Sequence, residues 1–296
     1  MLQATLRLSE QRNRLTAATQ ALALARWREI APDGDWLASW QVLLPRVVMA
    51  VSLAQATAAS QARAGMAASL LEQDWDGELA ALDPRAYAGW LEPDISPWQV
   101  PLESGLLTAP VVEARLRGSL DSGGRMLLHL THEAVAGASR MASQALITGT
   151  PDLIGVFSDS PCCQRCAVLV GKRMPHDATF KRHPQCNGTV VAVPRDKPSP
   201  VEPLDPEQVT DLNRWQRAAI EDGADFNRVV NAQTGVRGGK VLGSRSPLSE
   251  NGLRTSVGTG RKAGREMRPT PKAIYRTARG DRATAQRLLR EFGYLA

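Results

Sequence analysis

The stretch Pro161–Pro194, PCCQRCAVLVGKRMPHDATFKRHPQCNGTVVAVP, holds all four cysteines of the chain (Cys162, Cys163, Cys166, Cys186) and two of its four histidines, His176 and His183. Cys163 and Cys166 form a C-x-x-C pair. After a spacer, His183 and Cys186 form an H-x-x-C pair. Thiolate and imidazole are the donors zinc prefers, and two ligand pairs split by a spacer suit a closed tetrahedral site. The spacing predicts one structural zinc held by Cys163, Cys166, His183 and Cys186. Cys162 is a spare thiol, or a rival ligand in a register shifted by one; His176 is the other rival. Two further readings stay open. The cysteines could be reduced and packed as small hydrophobes, with His183 bonded to backbone. Alternatively, Cys163 or Cys166 could act as a nucleophile with His183 as its base. No orienting third residue or oxyanion device accompanies that pair, and a four-ligand site leaves no open position. Ser158-Asp159-Ser160 adds hydroxyls that serve equally as a turn.

Outward from this stretch, Asp152–Phe157 (DLIGVF) and Thr189–Val193 (TVVAV) read as strands, the second stopped by Pro194. Strands whose adjoining ends carry the two ligand pairs would bring those pairs together.

Upstream, alanine and leucine dominate and favour helix. Residues 2–28 read as one helix with Leu8, Leu15 and Leu22 as its apolar stripe and Ala18 and Ala25 beside them. Pro32-Asp33-Gly34 is a turn. A second helix starts near Asp35, with Trp36, Trp40, Leu44, Val47 and Val51 at helical spacing. Pro45 should kink or restart it, and it continues to about Gln73. Trp75, Tyr87, Trp90 and Trp98 sit among proline breakers, which predicts irregular chain with short helices. Val111–Leu120 and Arg125–Leu146 read as two helices split by Asp121-Ser-Gly-Gly124. His129 and His132, three apart, read as a wet helix face.

Downstream, Lys197–Pro203 is a proline-rich linker. Asp205 caps a helix running to about Asp222 that buries Leu212, Trp215 and Ile220, and Phe226–Asn231 is a short helix. From Thr234 to Arg268 the pattern dissolves into Gly, Ser, Arg and Lys, as in extended chain or chain that orders on a partner. Two short helices close the sequence, at Thr270–Tyr275 and at Asp281–Phe292, the second capped by Asp281 and burying Leu288, Leu289 and Phe292. The predicted fold is α+β, mostly α. It comprises a helical N-terminal domain (1–150), a small Cys/His α+β module (151–196), a linker with helices (197–232) and a basic, partly extended C-terminal arm (233–296).

The chain has 296 residues and a formal net charge of +6. From Arg237 onward fourteen basic residues face four acidic ones, a net of +10, which leaves −4 for the rest. A basic arm on a near-neutral body points to a polyanionic or acidic partner, with Arg254, Arg261, Lys262, Arg265 and Arg268 as candidate nucleic-acid contacts. No apolar run approaches the length needed to span a bilayer. The N-terminus lacks the apolar block of a secretory signal, so a cytoplasmic setting is expected, where clustered cysteines favour metal over disulfides.

The Cys/His stretch resembles the MuF-like minor capsid (head morphogenesis) proteins of tailed bacteriophages, especially those of actinobacteria. The family's C-x-x-C-A-x-L-x-G reads here as Cys163, Cys166, Ala167, Leu169 and Gly171. Its F-x-R-H-P-x-C reads as Phe180, Arg182, His183, Pro184 and Cys186. Asp83–Gly89, Ile220–Asn231 and Ile274-Tyr275 with Leu288–Tyr294 are similar to flanking segments of that family. Many relatives carry a further cysteine where this chain has Gly188, so the fourth ligand is His183, or Cys162 substitutes, or metal is held weakly. The resemblance implies a low-copy virion component, present in the host cytoplasm during assembly and then in the head interior. Its partners would be the portal protein, major capsid or scaffold proteins, and packaged double-stranded DNA without sequence preference. Some relatives are labelled capsid maturation proteases, and a thiol protease is the competing reading, although no protease motif is visible. A zinc-stabilised nucleic-acid-binding module is a third.

Overall fold

The computed structural model describes residues 2–32, 34–91, 100–158, 164–174, 188–209, 211–231 and 270–295. The fold is α+β and mostly helical. By contact the chain divides into two compact units, Met1–Pro161 with Val170–Glu202, and Cys162–Leu169 with Pro203–Ala296.

In the first unit, helix α1 (Gln3–Trp27) is uninterrupted by proline or glycine. Its buried face runs through Leu8, Arg12, Thr16, Thr19, Ala23 and Trp27. The Leu8–Leu15–Leu22 stripe is therefore not its core seam, since Leu22 is 41% exposed. Burial follows a neighbouring face rich in hydroxyls and small side chains, which lets helices approach closely.

Helix α2 (Trp36–Leu71) starts at Asp35, whose side chain accepts from the amides of Leu37 and Ala38. It runs through Pro45 without restarting. Pro45 and Gln41, whose carbonyl loses its helical donor, are both exposed, so water can replace the lost bond. By length and composition this helix is apolar enough to cross a membrane, which corrects the reading that no run approaches that length. Core helices of folded bundles have the same composition, and the inner face of α2 packs on α1, α3 and α4.

Helices α3 (Leu102–Arg117) and α4 (Leu120–Gly149) differ most from expectation. α3 begins nine residues before Val111 and continues through Pro110. Pro110 cannot donate to Leu106, and the indole Nε1 of Trp40 donates to that carbonyl instead, at 2.8 Å. The helix break falls at Gly118, in the left-handed conformation (φ 61°), with Ser119 donating to Ala114. Gly123 and Gly124 lie inside α4. A Cβ on Gly123 would stand 2.4 Å from Trp27 Cζ2 and 2.6 Å from the Pro110 carbonyl oxygen. This pair serves close helix approach, not termination. Trp27 and Trp40 meet edge to face with centroids 5.0 Å apart, and Trp27 Nε1 donates to Leu120.

Between α2 and α3 a 3₁₀ turn (Pro84–Tyr87) precedes the short antiparallel pair β1 (Trp90–Leu91) and β2 (Val100–Pro101). Gln55, fully buried on α2, ties this excursion down. Its Nε2 donates to Trp90 and Ala134, and its Oε1 accepts from Gly89. Trp75 and Tyr87 are half-buried plugs, Trp90 is exposed, and Trp98 lies outside the described residues. Strand β3 (Leu153–Ser158) is central in a three-stranded antiparallel sheet, between β4 (Arg173–Met174) and β5 (Thr189–Pro194). All six β3 residues are buried. Gln73, at the end of α2, donates to Ala192 on β5, and Lys197 donates to the carbonyls of Gln73 and Asp74.

The second unit holds α5 (Gln164–Ala167), a 3₁₀ turn (Pro206–Gln208), α6 (Arg214–Glu221), α7 (Phe226–Asn231), α8 (Pro271–Ala278) and α9 (Arg282–Glu291). The helix expected to run from Asp205 to Asp222 is two pieces. Asp205 with Gln208, then Asn213 with Gln216, each form a capping box, and two start signals eight residues apart cannot share one helix. Trp215 and Ile220 are half-buried, whereas Gln216 and Ala219 are the buried α6 residues. Asp281 caps α9 as expected, accepting from Ala283 and Thr284. Leu288 and Leu289 are buried and Phe292 partly so. They join Ala219, Val229, Ile274 and Tyr294 in one core cluster.

Candidate functional site

Strands β3 and β5 bracket the Cys/His stretch in sequence. β3 leads into it and β5 leads out, paired from Leu153↔Pro194 to Ser158↔Thr189. The two ends from which the cysteine-bearing segment departs and returns are therefore adjacent, as the strand reading expected. Within the stretch, Lys172 accepts from Phe157, and Gly171 donates back to Phe157, so the chain returns along β3 as β4. Sequence reasoning missed β4 because a two-residue strand has no measurable alternation.

Of the four expected ligands, Cys166 is described and lies on α5 with 3% exposure. Its neighbour Ala167 packs with Val209, Leu212 and Val230, and the Gln164 amide donates to Asp211 at 3.0 Å. Cys163, His183 and Cys186 lie outside the described residues, as do the rivals Cys162 and His176. The same holds for Arg254, Arg261, Lys262, Arg265 and Arg268. Among the described residues no group of three or more His, Cys, Asp or Glu side chains is placed to hold a metal.

His132 departs from the wet face expected of it. Its side chain is 14% exposed and its Nδ1 stands 3.2 Å from Glu133 Oε1. Arg140, 6% exposed, donates to Glu133 Oε2 at 3.2 Å. Glu133 thus sits between Arg140 and His132 in a buried polar cluster on α4. A cleft of about 670 Å³ does lie in this unit, walled by Trp27, Trp36, Leu24 and Leu128 and rimmed by Arg28 and Arg125.

In the second unit Asp222 anchors three helices. It accepts from Tyr275 Oη at 2.5 Å, Arg282 Nε at 2.6 Å and Gln286 Nε2 at 3.3 Å. Burial raises its carboxyl, but these bonds and the Arg282 charge outweigh burial and hold it below the usual carboxylate range. Burial, then the bond and charge of Asp222, push the Tyr275 phenol well above its ordinary value. Such a phenol is a fixed donor and not a proton shuttle at neutral pH. The partners are more than fifty residues apart in sequence, and no local signal could have paired them. Trp215 stacks on Tyr275 with centroids 6.0 Å apart, and the Arg214 guanidinium lies 4.3 Å from the Trp215 ring centre. Comparison with protein-family models, curated proteins and solved structures finds no match to this chain.

Proposed function

We propose that the chain is a low-copy structural protein of a tailed-phage head, of the MuF-like kind. In this reading it associates with the portal protein and the head interior and contacts packaged DNA. The observation that carries the reading is the joined wording C-x-x-C-A-x-L-x-G and F-x-R-H-P-x-C, from Cys163 to Cys186, followed by a carboxyl-terminal region with net charge +10. The sheet supports it, because the Ser158↔Thr189 pairing holds the segment's departure and return points side by side. The burial of Cys166 supports a structural role for the cysteines over a nucleophilic one, which needs an accessible thiolate.

In the same reading Cys163, Cys166, His183 and Cys186 hold one zinc. Bound there, zinc would supply folding free energy and no chemistry, since four protein ligands leave no position for a substrate. The assembly test is co-purification with portal protein and presence in purified heads. Absence from heads whose assembly survives deletion of the gene would refute it. For the metal, elemental analysis of protein purified without chelator should return one zinc per chain. Metal-free protein of unchanged stability would overturn that part.

A further inference from the structure

Helix α8 places Lys272 and Arg276 four residues apart, and Arg279 follows as its C-cap. At about 100° and 1.5 Å per residue, Lys272 and Arg276 lie about 40° apart and about 6 Å along the axis, and Arg279 stands at the helix's C-terminal end. All three side chains are exposed, and none makes an ion pair among the described residues. The nearby acids are mostly engaged elsewhere. Asp222 is held by Tyr275, Arg282 and Gln286, Asp281 caps α9, and Glu291 pairs with Arg287. Glu221 on α6 is the acid whose charge is felt at Tyr275.

Arg279 adds a second, independent observation. Its φ is +50°, in the left-handed region, and Gly280 follows at +90°. Glycine is the residue at ease at such a cap, and a side chain there costs stability. The Arg279 side chain is exposed. The neighbouring aromatics decide between partners. The Trp215 ring is engaged by Arg214 and Tyr275, and the Tyr275 hydroxyl by Asp222. Exposed cations beside aromatics already engaged suit the phosphates of a duplex better than the unstacked bases of a single strand.

We propose that the Lys272–Arg276–Arg279 edge of α8 contacts the phosphate backbone of double-stranded DNA without regard to sequence. The inference rests on the DNA part of the proposed function and deepens it, with residues outside the 254–268 tail.

The test uses the full chain and a fluorescein-labelled duplex of mixed sequence, followed by anisotropy across a salt series. R279G removes the charge and relieves the backbone together, so the fold is retained. R279G should lower the slope of log affinity against log salt by about 0.9, and K272Q/R276Q/R279G by about 2.7. At about 0.1 M salt this is a loss of about eightfold per contact. A companion variant changes Arg254, Arg261, Lys262, Arg265 and Arg268 to Gln. If that variant loses binding while the α8 variants match the parent chain, the edge is refuted and DNA contact survives. A parent chain that ignores duplex at low salt refutes both. Preference for single strands, or equal retention of poly-glutamate through the same three residues, also overturns the proposal.

Discussion

Gly123→Ala should destabilise the first unit although it replaces a helical glycine with the best helix former. In isolation the change favours the helix by about 1 kcal/mol. In the fold the new methyl would meet Trp27 Cζ2 at 2.4 Å, the Pro110 carbonyl oxygen at 2.6 Å and Ala114 Cβ at 2.9 Å. Overpacking of this kind costs about 1–3 kcal/mol, and the upper end applies because a backbone carbonyl cannot swing aside. The net is a loss of about 2 kcal/mol, or about 4–8 °C in Tm for a unit of this size. Gly124→Ala is the internal control. It carries the same helix gain, but its nearest contacts are Leu24 Cδ1 and Trp27 Cδ1, both at 3.2 Å, where small shifts suffice. Its stability should stay within about 0.5 kcal/mol of the parent, because helix gain and crowding nearly cancel. Thermal unfolding followed by far-ultraviolet circular dichroism separates the two. If Gly123→Ala is as stable as Gly124→Ala, α4 does not cross Trp27 and Pro110 at this distance, and the reasoning fails.

Glu133→Gln removes the carboxylate to which buried Arg140 donates and should cost about 3–5 kcal/mol in denaturant unfolding; a loss under 1 kcal/mol would show that the cluster is solvated. Trp40→Phe strips the Leu106 carbonyl of its replacement donor, for a loss of about 1–3 kcal/mol read the same way. Asp222 sits below its unfolded pKa, so its contribution is full above about pH 4 and is lost as pH falls from there through its lower folded-state value. Asp222→Asn should therefore be less stable than the parent chain at neutral pH, with the gap closing on the acid side. A gap that stays constant with pH would remove the charge from the explanation.

Wherever the cue was local, the residues alone were enough. α1 lacks breakers, Asp35 and Asp281 are caps within reach of their own amides, and β3 and β5 are short β-branched runs with turn residues outside them. Each of these depends on chemistry within a few positions of the chain. The errors have a common cause. Gly123-Gly124 reads as a break and Val111 as a start, yet Gly123, Gly124 and Pro110 are all interior to helices, because Trp27 fills the space a Cβ would take and Trp40 supplies the hydrogen bond that proline removes. The leucine heptad of α1 is likewise overruled by the face its neighbours cover. His132 reads as solvated until Glu133 and Arg140 are found on the same buried side, and Asp222 meets Tyr275 across more than fifty residues. The Cys163–Cys186 pattern proposed to hold zinc is a reading of the sequence, since it rests on residue type and spacing. What the tertiary structure decided was which breakers break, which polar groups are buried and which cations stay exposed. Those outcomes depend on atoms brought close by packing, and no stretch of chain carries that information alone.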